Sequence, residues 1–303
     1  MHDDSPHPPP SSAPASRRRR RRLVAALAVV AAVPAGWFAL DALAGPGAPP
    51  KPSARPAPAG EGPGASNGTA GDRKPGHGGG PLAGKVVVID PGHNPGNFQH
   101  AREINEPVDI GTNRKECDTT GTATNTGYTE AEFTLDVSHR LRTLLRDQGA
   151  TVEFTHDADR PYGPCIDERA RIGNTAEADA VVSVHADGSA VGNRGFHVIL
   201  PAPVRAGAAD TSPIVGPSRA LGEHIAGTFA RATGSAPANY AGGGTGSVVR
   251  ADLGGLNLST VPKVFIECGN MRDPKDASLL TDAAWRQKAA RGIADGISTY
   301  LLG

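Results

Sequence analysis

The stretch "VVVIDPGH", residues 86–93, decides the fold. Its run of valines and isoleucine predicts a buried β-strand, which Pro91 and Gly92 bring to an end. His93 follows directly. In parallel sheets, functional groups collect beyond the carboxyl ends of the strands, so His93 is a candidate site residue.

Further apolar runs alternate with helical stripes toward the C-terminus. The stripes begin at Phe133, Leu221 and Trp285, with apolar residues three to four positions apart. The other predicted strands are 151–156, 181–186, 195–200 and 263–267. This alternation predicts an α/β fold, with a mostly parallel twisted sheet flanked by helices in a single domain.

Three more candidate site residues belong to this pattern. His185 and Glu267 end predicted strands, and Glu130 begins the first predicted helix. Two imidazoles and a carboxylate are suitable Zn²⁺ ligands, and a second carboxylate could take a proton from water. Because the chain contains 10 histidines, spacing alone leaves coincidence open.

The N-terminal region is typical of export. Residues 17–22 are arginines, and residues 23–40 carry no charge. We interpret residues 1–22 as a basic cytoplasmic region and residues 23–44 as a signal peptide or signal anchor. A nucleic-acid-binding patch is the alternative, but removal of residues 1–44 leaves 25 basic and 28 acidic residues. Such a balance is a poor match for phosphate backbones, so we expect no nucleic-acid partner.

A linker and one domain are predicted beyond that segment. Residues 45–82 are mostly Gly, Pro, Ala and Ser, and such a composition buries too little apolar surface to offset the entropy of ordering. We therefore predict a disordered linker over 45–82 and one catalytic domain over 83–303.

Seven ordered motifs give the sequence a family resemblance. It resembles the zinc-dependent N-acetylmuramoyl-L-alanine amidases, and among them the actinobacterial members that consist of a catalytic domain alone. The motifs are "VIDPGH", "GYTE", "CIDERARIGN", "VSVHADG", "RGFHV", "RADLGGLN" and "VFIECGNMRDPKD", spread from Val88 to Asp276. A single motif of this kind would be weak, whereas seven in order are specific.

The resemblance implies roles for particular residues. It makes His93, Glu130 and His185 ligands of one Zn²⁺, makes Glu267 the general base, and gives Arg250 a contact with substrate. Glu132 is a rival to Glu130, but the zinc ligand of the family that this sequence resembles precedes the apolar stripe of the helix by a fixed interval, which favours Glu130. Arg250 could equally form an ion pair with Asp252.

The implied reaction is cleavage of the amide bond between N-acetylmuramic acid and L-alanine in peptidoglycan or muropeptides. Two alternatives stay open at this point: a zinc carboxypeptidase acting on the same stem peptides, and a non-catalytic wall-binding module on the same scaffold. We expect a monomer outside the cytoplasm, in contact with the membrane only through residues 23–44.

The three cysteines receive different interpretations. The resemblance implies a disulfide between Cys117 and Cys165, which export permits. Cys268 follows Glu267 on a strand, so we expect a buried thiol pointing away from the site. A catalytic cysteine is the competing interpretation, but no motif supports a Cys–His pair. The long loop between His93 and Glu130 suggests a hypothesis, namely that it overhangs the zinc cleft and restricts substrate access.

Overall fold

The computed structural model describes residues 79–303. The predicted cytoplasmic region, the signal segment and most of the predicted linker lie outside these residues. Within them, no helix is both long enough and apolar enough to cross a bilayer.

Ten strands and seven helices are assigned in the described chain. The strands are β1 (Val86–Pro91), β2 (Pro107–Asp109), β3 (Arg114–Glu116), β4 (Thr151–Phe154), β5 (Ala180–Asp187), β6 (His197–Pro201), β7 (Arg205–Ala206), β8 (Ala209–Asp210), β9 (Ser247–Arg250) and β10 (Lys263–Asn270). The helices are α1 (Ala101–Ile104), α2 (Glu130–Asp147), α3 (Ile166–Thr175), α4 (Val215–Thr233), α5 (Gly254–Asn257), α6 (Pro274–Leu280) and α7 (Ala283–Leu302).

Six strands form the central sheet in the order β4-β1-β5-β10-β6-β9. The first four run parallel, whereas β6 pairs antiparallel with β10, and β9 runs parallel to β6. The predicted α/β fold with a mostly parallel sheet is therefore confirmed. The reversal brings the start of β6 to the sheet edge where β5 and β10 end.

One face of the sheet is apolar and forms the core. Val264, Ile266 and Cys268 alternate along β10 and are buried with side chains of α2, α4 and α7. Cys268 is a free thiol on this face, as expected, and its burial raises its pKa well above the usual range. The core also includes Leu82, the last residue of the predicted linker, so the packed chain begins at least one residue earlier than predicted.

The opposite face is polar in its centre. Asp90 lies beside Ser183, and Ser183 lies beside Phe265, in register across β1, β5 and β10. This face is covered by α3, by α5 and by the chain between His93 and Glu130, which together line a cavity of about 200 Å³. The sheet thus separates an apolar core from a polar layer that carries the candidate residues.

The predicted disulfide is present in the structure. Cys117 and Cys165 are joined by an S–S bond of 2.07 Å, which closes a loop across 48 positions of sequence. The backbone N–H of Ile166 also donates to the Cys117 carbonyl at 2.7 Å. These bonds attach the His93–Glu130 loop to the beginning of α3.

Candidate active site

The chain turns sharply at His93, where β1 ends. His93 has φ of 62°, a conformation that is uncommon for residues other than glycine. The preceding Gly92 leaves room for His185, because a Cβ on Gly92 would lie 2.3 Å from Cε1 of that ring. The Pro-Gly-His sequence therefore allows two imidazoles to approach one another, and their ring centres are 5.0 Å apart.

The start of α2 separates the roles of two glutamates. Thr129 caps the helix, and Glu132 completes a capping box by accepting from the Thr129 N–H at 2.9 Å. Glu130 instead points toward the histidines, where its Oε1 is 3.1 Å from His93 Nε2 and 2.9 Å from His185 Nδ1. The structure thus brings Glu130, and not Glu132, beside both imidazoles.

The three side chains form a compact donor cluster. One ligand-capable atom each from His93, Glu130 and His185 lies within 4.8 Å of the others. Burial opposes the protonation of His93, but the adjacent Glu130 carboxylate and Asp118 outweigh it and raise the pKa of His93 to about 10. Burial likewise opposes ionisation of Glu130, yet His93 and His185 hold its pKa well below the usual range.

Each histidine of the cluster is oriented by neighbours outside it. His93 Nδ1 lies 3.1 Å from the Thr119 carbonyl oxygen and 3.7 Å from a carboxylate oxygen of Asp118. His185 stacks on Phe265, and its Nε2 lies 3.2 Å from the Ser183 hydroxyl. Partners of this kind fix the ring orientation of metal-binding histidines.

Glu267 lies beside the cluster because of strand register. It pairs with His185 across β5 and β10, so both side chains leave the same face of the sheet. Its Oε2 is buried without a hydrogen-bond partner among the residues described. Burial, together with the nearby carboxylates of Glu130 and Asp187, raises the pKa of Glu267 well above its usual range.

The chain is similar to a known family of enzymes over most of its described length. A family model described as N-acetylmuramoyl-L-alanine amidase matches residues 87–299. The chain belongs to this amidase family. It is therefore an N-acetylmuramoyl-L-alanine amidase that acts on peptidoglycan, which confirms the reaction implied by the sequence motifs.

Relatives of the amidase include proteins of mycobacteria. The chain is 39% identical to the N-acetylmuramoyl-L-alanine amidase Rv3717 of Mycobacterium tuberculosis over 221 residues, covering 73% of this chain and 88% of that protein. The crystal structure of the amidase Ami1 from Mycobacterium smegmatis matches with a TM-score of 0.66 and 39% identity, covering 73% of this chain and 98% of Ami1. The apo form of Ami1 from Mycobacterium abscessus matches with the same TM-score and 40% identity, covering 73% and 100%.

Arg250 of the amidase is engaged by a neighbour in the structure. It forms a bidentate ion pair with Asp252, with Nε 2.8 Å from Oδ1 and Nη2 2.6 Å from Oδ2. Lys115 from the long loop lies 3.3 Å from the same carboxylate. The ion pair with Asp252, one of the two alternatives for Arg250, is thus present, while a contact of Arg250 with substrate stays a prediction.

The loop between His93 and Glu130 lines cavities next to the two histidines. Lys115, Asp118 and Thr119 line the 200 Å³ cavity together with His93 and His185. Gly121 lies close to the cluster, since a Cβ there would be 2.7 Å from the ring of His93. The loop therefore borders the candidate site, in keeping with the hypothesis that it limits substrate access.

The buried charges behind the cluster were not predicted from the sequence. Asp90 accepts hydrogen bonds from Arg169 at 2.8 Å, from Ser183 at 2.9 Å and from Lys263 at 3.0 Å. Arg169 also donates to Asp118 at 2.8 Å. Asp90 and Arg169 both lie in quoted motifs, but only the fold reveals that they meet.

Proposed function

We propose that this amidase binds one Zn²⁺ through His93, Glu130 and His185 and uses Glu267 as its general base. In this proposal it hydrolyses the amide bond between N-acetylmuramic acid and the L-alanine of the stem peptide. The observation that carries the proposal is the convergence of three ligand-capable side chains within 4.8 Å beside an unpartnered glutamate.

The residues present fit a zinc ion in chemistry and in charge. Two imidazoles and one carboxylate are a common protein ligand set for catalytic zinc, which keeps another position for water. A buried carboxylate oxygen without a partner costs free energy, and Glu267 Oε2 is such an atom within residues 79–303. A cation and a water molecule at the cluster would supply the missing interactions.

The chemistry divides between the metal and the protein. When bound, zinc lowers the pKa of a water ligand and polarises the scissile carbonyl. Glu267 accepts the proton of the attacking water and delivers it to the leaving nitrogen of L-alanine. His185 and Glu267 are adjacent in register, which keeps the base next to the ligand cluster throughout.

The two alternative functions have less support. Family membership favours the amide bond at N-acetylmuramic acid over the peptide bond that a carboxypeptidase would cut. A non-catalytic wall-binding module would have no need of Glu267 beside the ligand cluster. We further propose that the domain works outside the cytoplasm, exported by residues 23–44 and carried by the linker that follows them.

Mass spectrometry of the products tests this proposal. We expect the full chain supplied with zinc to release an intact stem peptide with a free L-alanine amine from defined muropeptides. A chelated sample and the Glu267→Gln variant should leave the muropeptides uncut. Loss of a terminal amino acid instead would indicate the carboxypeptidase, and zinc binding without any cleavage would indicate the wall-binding module.

A further inference from the structure

His197 belongs to the same row of the sheet as Glu267 and His185. Glu267 pairs with His185 on one side and with His197 on the other. Residues paired in register on neighbouring strands project to the same face, about 4.8 Å apart. The three side chains therefore follow one another across the polar face, with Glu267 in the middle.

The structure gives His197 no structural partner that would explain its burial. Only 6% of the residue is exposed, yet its Nδ1 is buried and forms no hydrogen bond with any residue in the described range. The ligand cluster consists of His93, Glu130 and His185 and does not include His197. Nε2 of the same ring also has no hydrogen bond with these residues, and it is not among the fully buried atoms, so it is the ring nitrogen that a bound ligand can reach.

The neighbours of His197 determine the orientation of its ring and which ring nitrogen carries the proton. The ring of Tyr240 packs against it edge to face, with centres 5.9 Å apart, while the Tyr240 hydroxyl donates to Asp187 at 2.8 Å. Burial and the nearby Arg250 lower the pKa of His197, and they outweigh Asp187, which raises it. The lowered pKa favours the neutral ring. Buried N–H groups without acceptors are rarer than acceptors without donors, so the proton belongs on Nε2.

We propose that Nε2–H of His197 donates a hydrogen bond to the carbonyl oxygen of the substrate's L-alanine residue. This inference rests on the proposed function, in which Glu267 hands a proton to the leaving nitrogen. In this proposal the ligand cluster with His185 occupies one side of Glu267, and the leaving group occupies the other side, next to His197. The alanine carbonyl is the first hydrogen-bond acceptor beyond the leaving nitrogen, separated from it only by Cα.

A pair of substrates isolates this contact. One is N-acetylmuramoyl-L-alanyl-D-isoglutamine, and the other is the isopropylamide of N-acetylmuramic acid, which replaces the alanine carbonyl by a methyl group. We expect His197→Phe to lower kcat/KM about tenfold on the peptide substrate, because one hydrogen bond is lost, and to leave the isopropylamide rate unchanged. His197→Gln, whose amide can reach the position of Nε2, should restore the peptide rate.

Two further variants keep the test decisive. His197→Asn places its amide near Nδ1 rather than Nε2, so it should behave like His197→Phe if the latter does not fold. His224→Gln, on the exposed side of α4, is the control and should not change either rate. An equal loss on both substrates, or no loss on the peptide, would overturn the proposal.

A binding measurement separates this inference from the proposed function. In a Glu267→Gln background, we expect His197→Phe to weaken calorimetric binding of the peptide substrate about tenfold and to leave zinc content unchanged. If the wild-type protein cuts neither substrate, the proposed function fails, and the binding comparison still tests His197. Equal peptide affinity with and without the imidazole would overturn the contact itself.

Discussion

Arg169 and Asp118 form a buried ion pair directly behind the ligand cluster, with Nη2 2.8 Å from Oδ2. The same guanidinium donates to Asp90 at the end of β1 and to the carbonyl oxygen of His93. Asp118 in turn lies 3.7 Å from His93 Nδ1. The ion pair therefore connects the sheet, α3 and the long loop at the point where His93 must be held.

The position of Asp118 predicts a role in zinc affinity. We expect Asp118→Asn to weaken zinc binding about 10- to 100-fold, because a carboxylate next to a ligating histidine orients the ring and raises its basicity. Competition with a chromogenic chelator measures this affinity. Asp295→Asn, on the exposed face of α7, is the matched control. Equal zinc affinity in both variants would show that Asp118 only stabilises the fold.

The disulfide connects the loop that carries Asp118 to the helix that carries Arg169. We expect the double variant Cys117→Ser, Cys165→Ser to lose about 2–4 kcal/mol of unfolding free energy, since the long loop is no longer constrained in the unfolded chain. It should also bind zinc more weakly, because Asp118 and Thr119 lose their attachment. Denaturant unfolding and chelator competition check the two effects. Unchanged zinc affinity in a destabilised variant would show that the disulfide stabilises the fold without affecting zinc binding.

Buried Asp90 predicts a dependence of stability on pH. Burial opposes its ionisation, but Lys263 and Arg169 outweigh that cost and hold the pKa of Asp90 well below its usual range. The stabilisation is complete above the unfolded-state pKa of about 3.9 and is lost as the pH falls toward the folded-state pKa. Below about pH 4 this group alone should reduce the unfolding free energy by up to about 1.4 kcal/mol per pH unit.

Asp90→Asn tests that dependence. The variant leaves Lys263 and Arg169 buried without their carboxylate, so we expect a loss of about 3–5 kcal/mol at neutral pH. Its stability should then fall less steeply than that of the wild type between pH 5 and 3. The comparison uses urea unfolding of chelated protein. Parallel slopes for the two proteins would mean that Asp90 does not carry the acid sensitivity.

The loop hypothesis predicts an effect at the rim of the cavity. Deletion of 99–114 would also remove Ile104 and Ile110, which are buried, so a point substitution is a cleaner test. We expect Lys115→Ala to raise cleavage of cross-linked peptidoglycan up to about fivefold relative to small muropeptides, because it releases the contact with Asp252.

The matched control for the loop is Lys85→Ala. Lys85 and Asp179 form an ion pair of the same length, 3.3 Å, just before β1. This control should leave the ratio of the two substrates unchanged. If Lys115→Ala also leaves that ratio unchanged, the loop does not limit access at this point.

Local patterns in the sequence predicted five of the six strands of the central sheet, all but β9, and the candidate residues toward their ends. His93 and His185 were found because each follows a β-branched run, and a parallel sheet brings such ends together. Glu130 was selected over Glu132 from the interval that the family resemblance implies, and the capping box of α2, which engages Glu132, gives the physical reason. These features depend on a few consecutive residues, which a sequence displays directly.

Contacts between residues that are distant in the sequence could not be predicted in the same way. Lys263 and Asp90 are 173 positions apart, and only the parallel register of the sheet brings them to 3.0 Å. The side of the sheet to which His197 projects was likewise undecided, because alternation along a strand does not show which strand pairs with it or in which register. The antiparallel pairing with β10 decided it by placing His197 opposite Glu267.

The central claim is that Glu130 holds zinc whereas Glu267 moves a proton. The most direct test measures zinc per chain and muropeptide cleavage in two matched variants, Glu130→Gln and Glu267→Gln. We expect Glu130→Gln to lose both zinc and activity, and Glu267→Gln to retain one zinc per chain while losing activity. Cleavage by Glu267→Gln at the wild-type rate, or loss of zinc from it, would contradict the assignment.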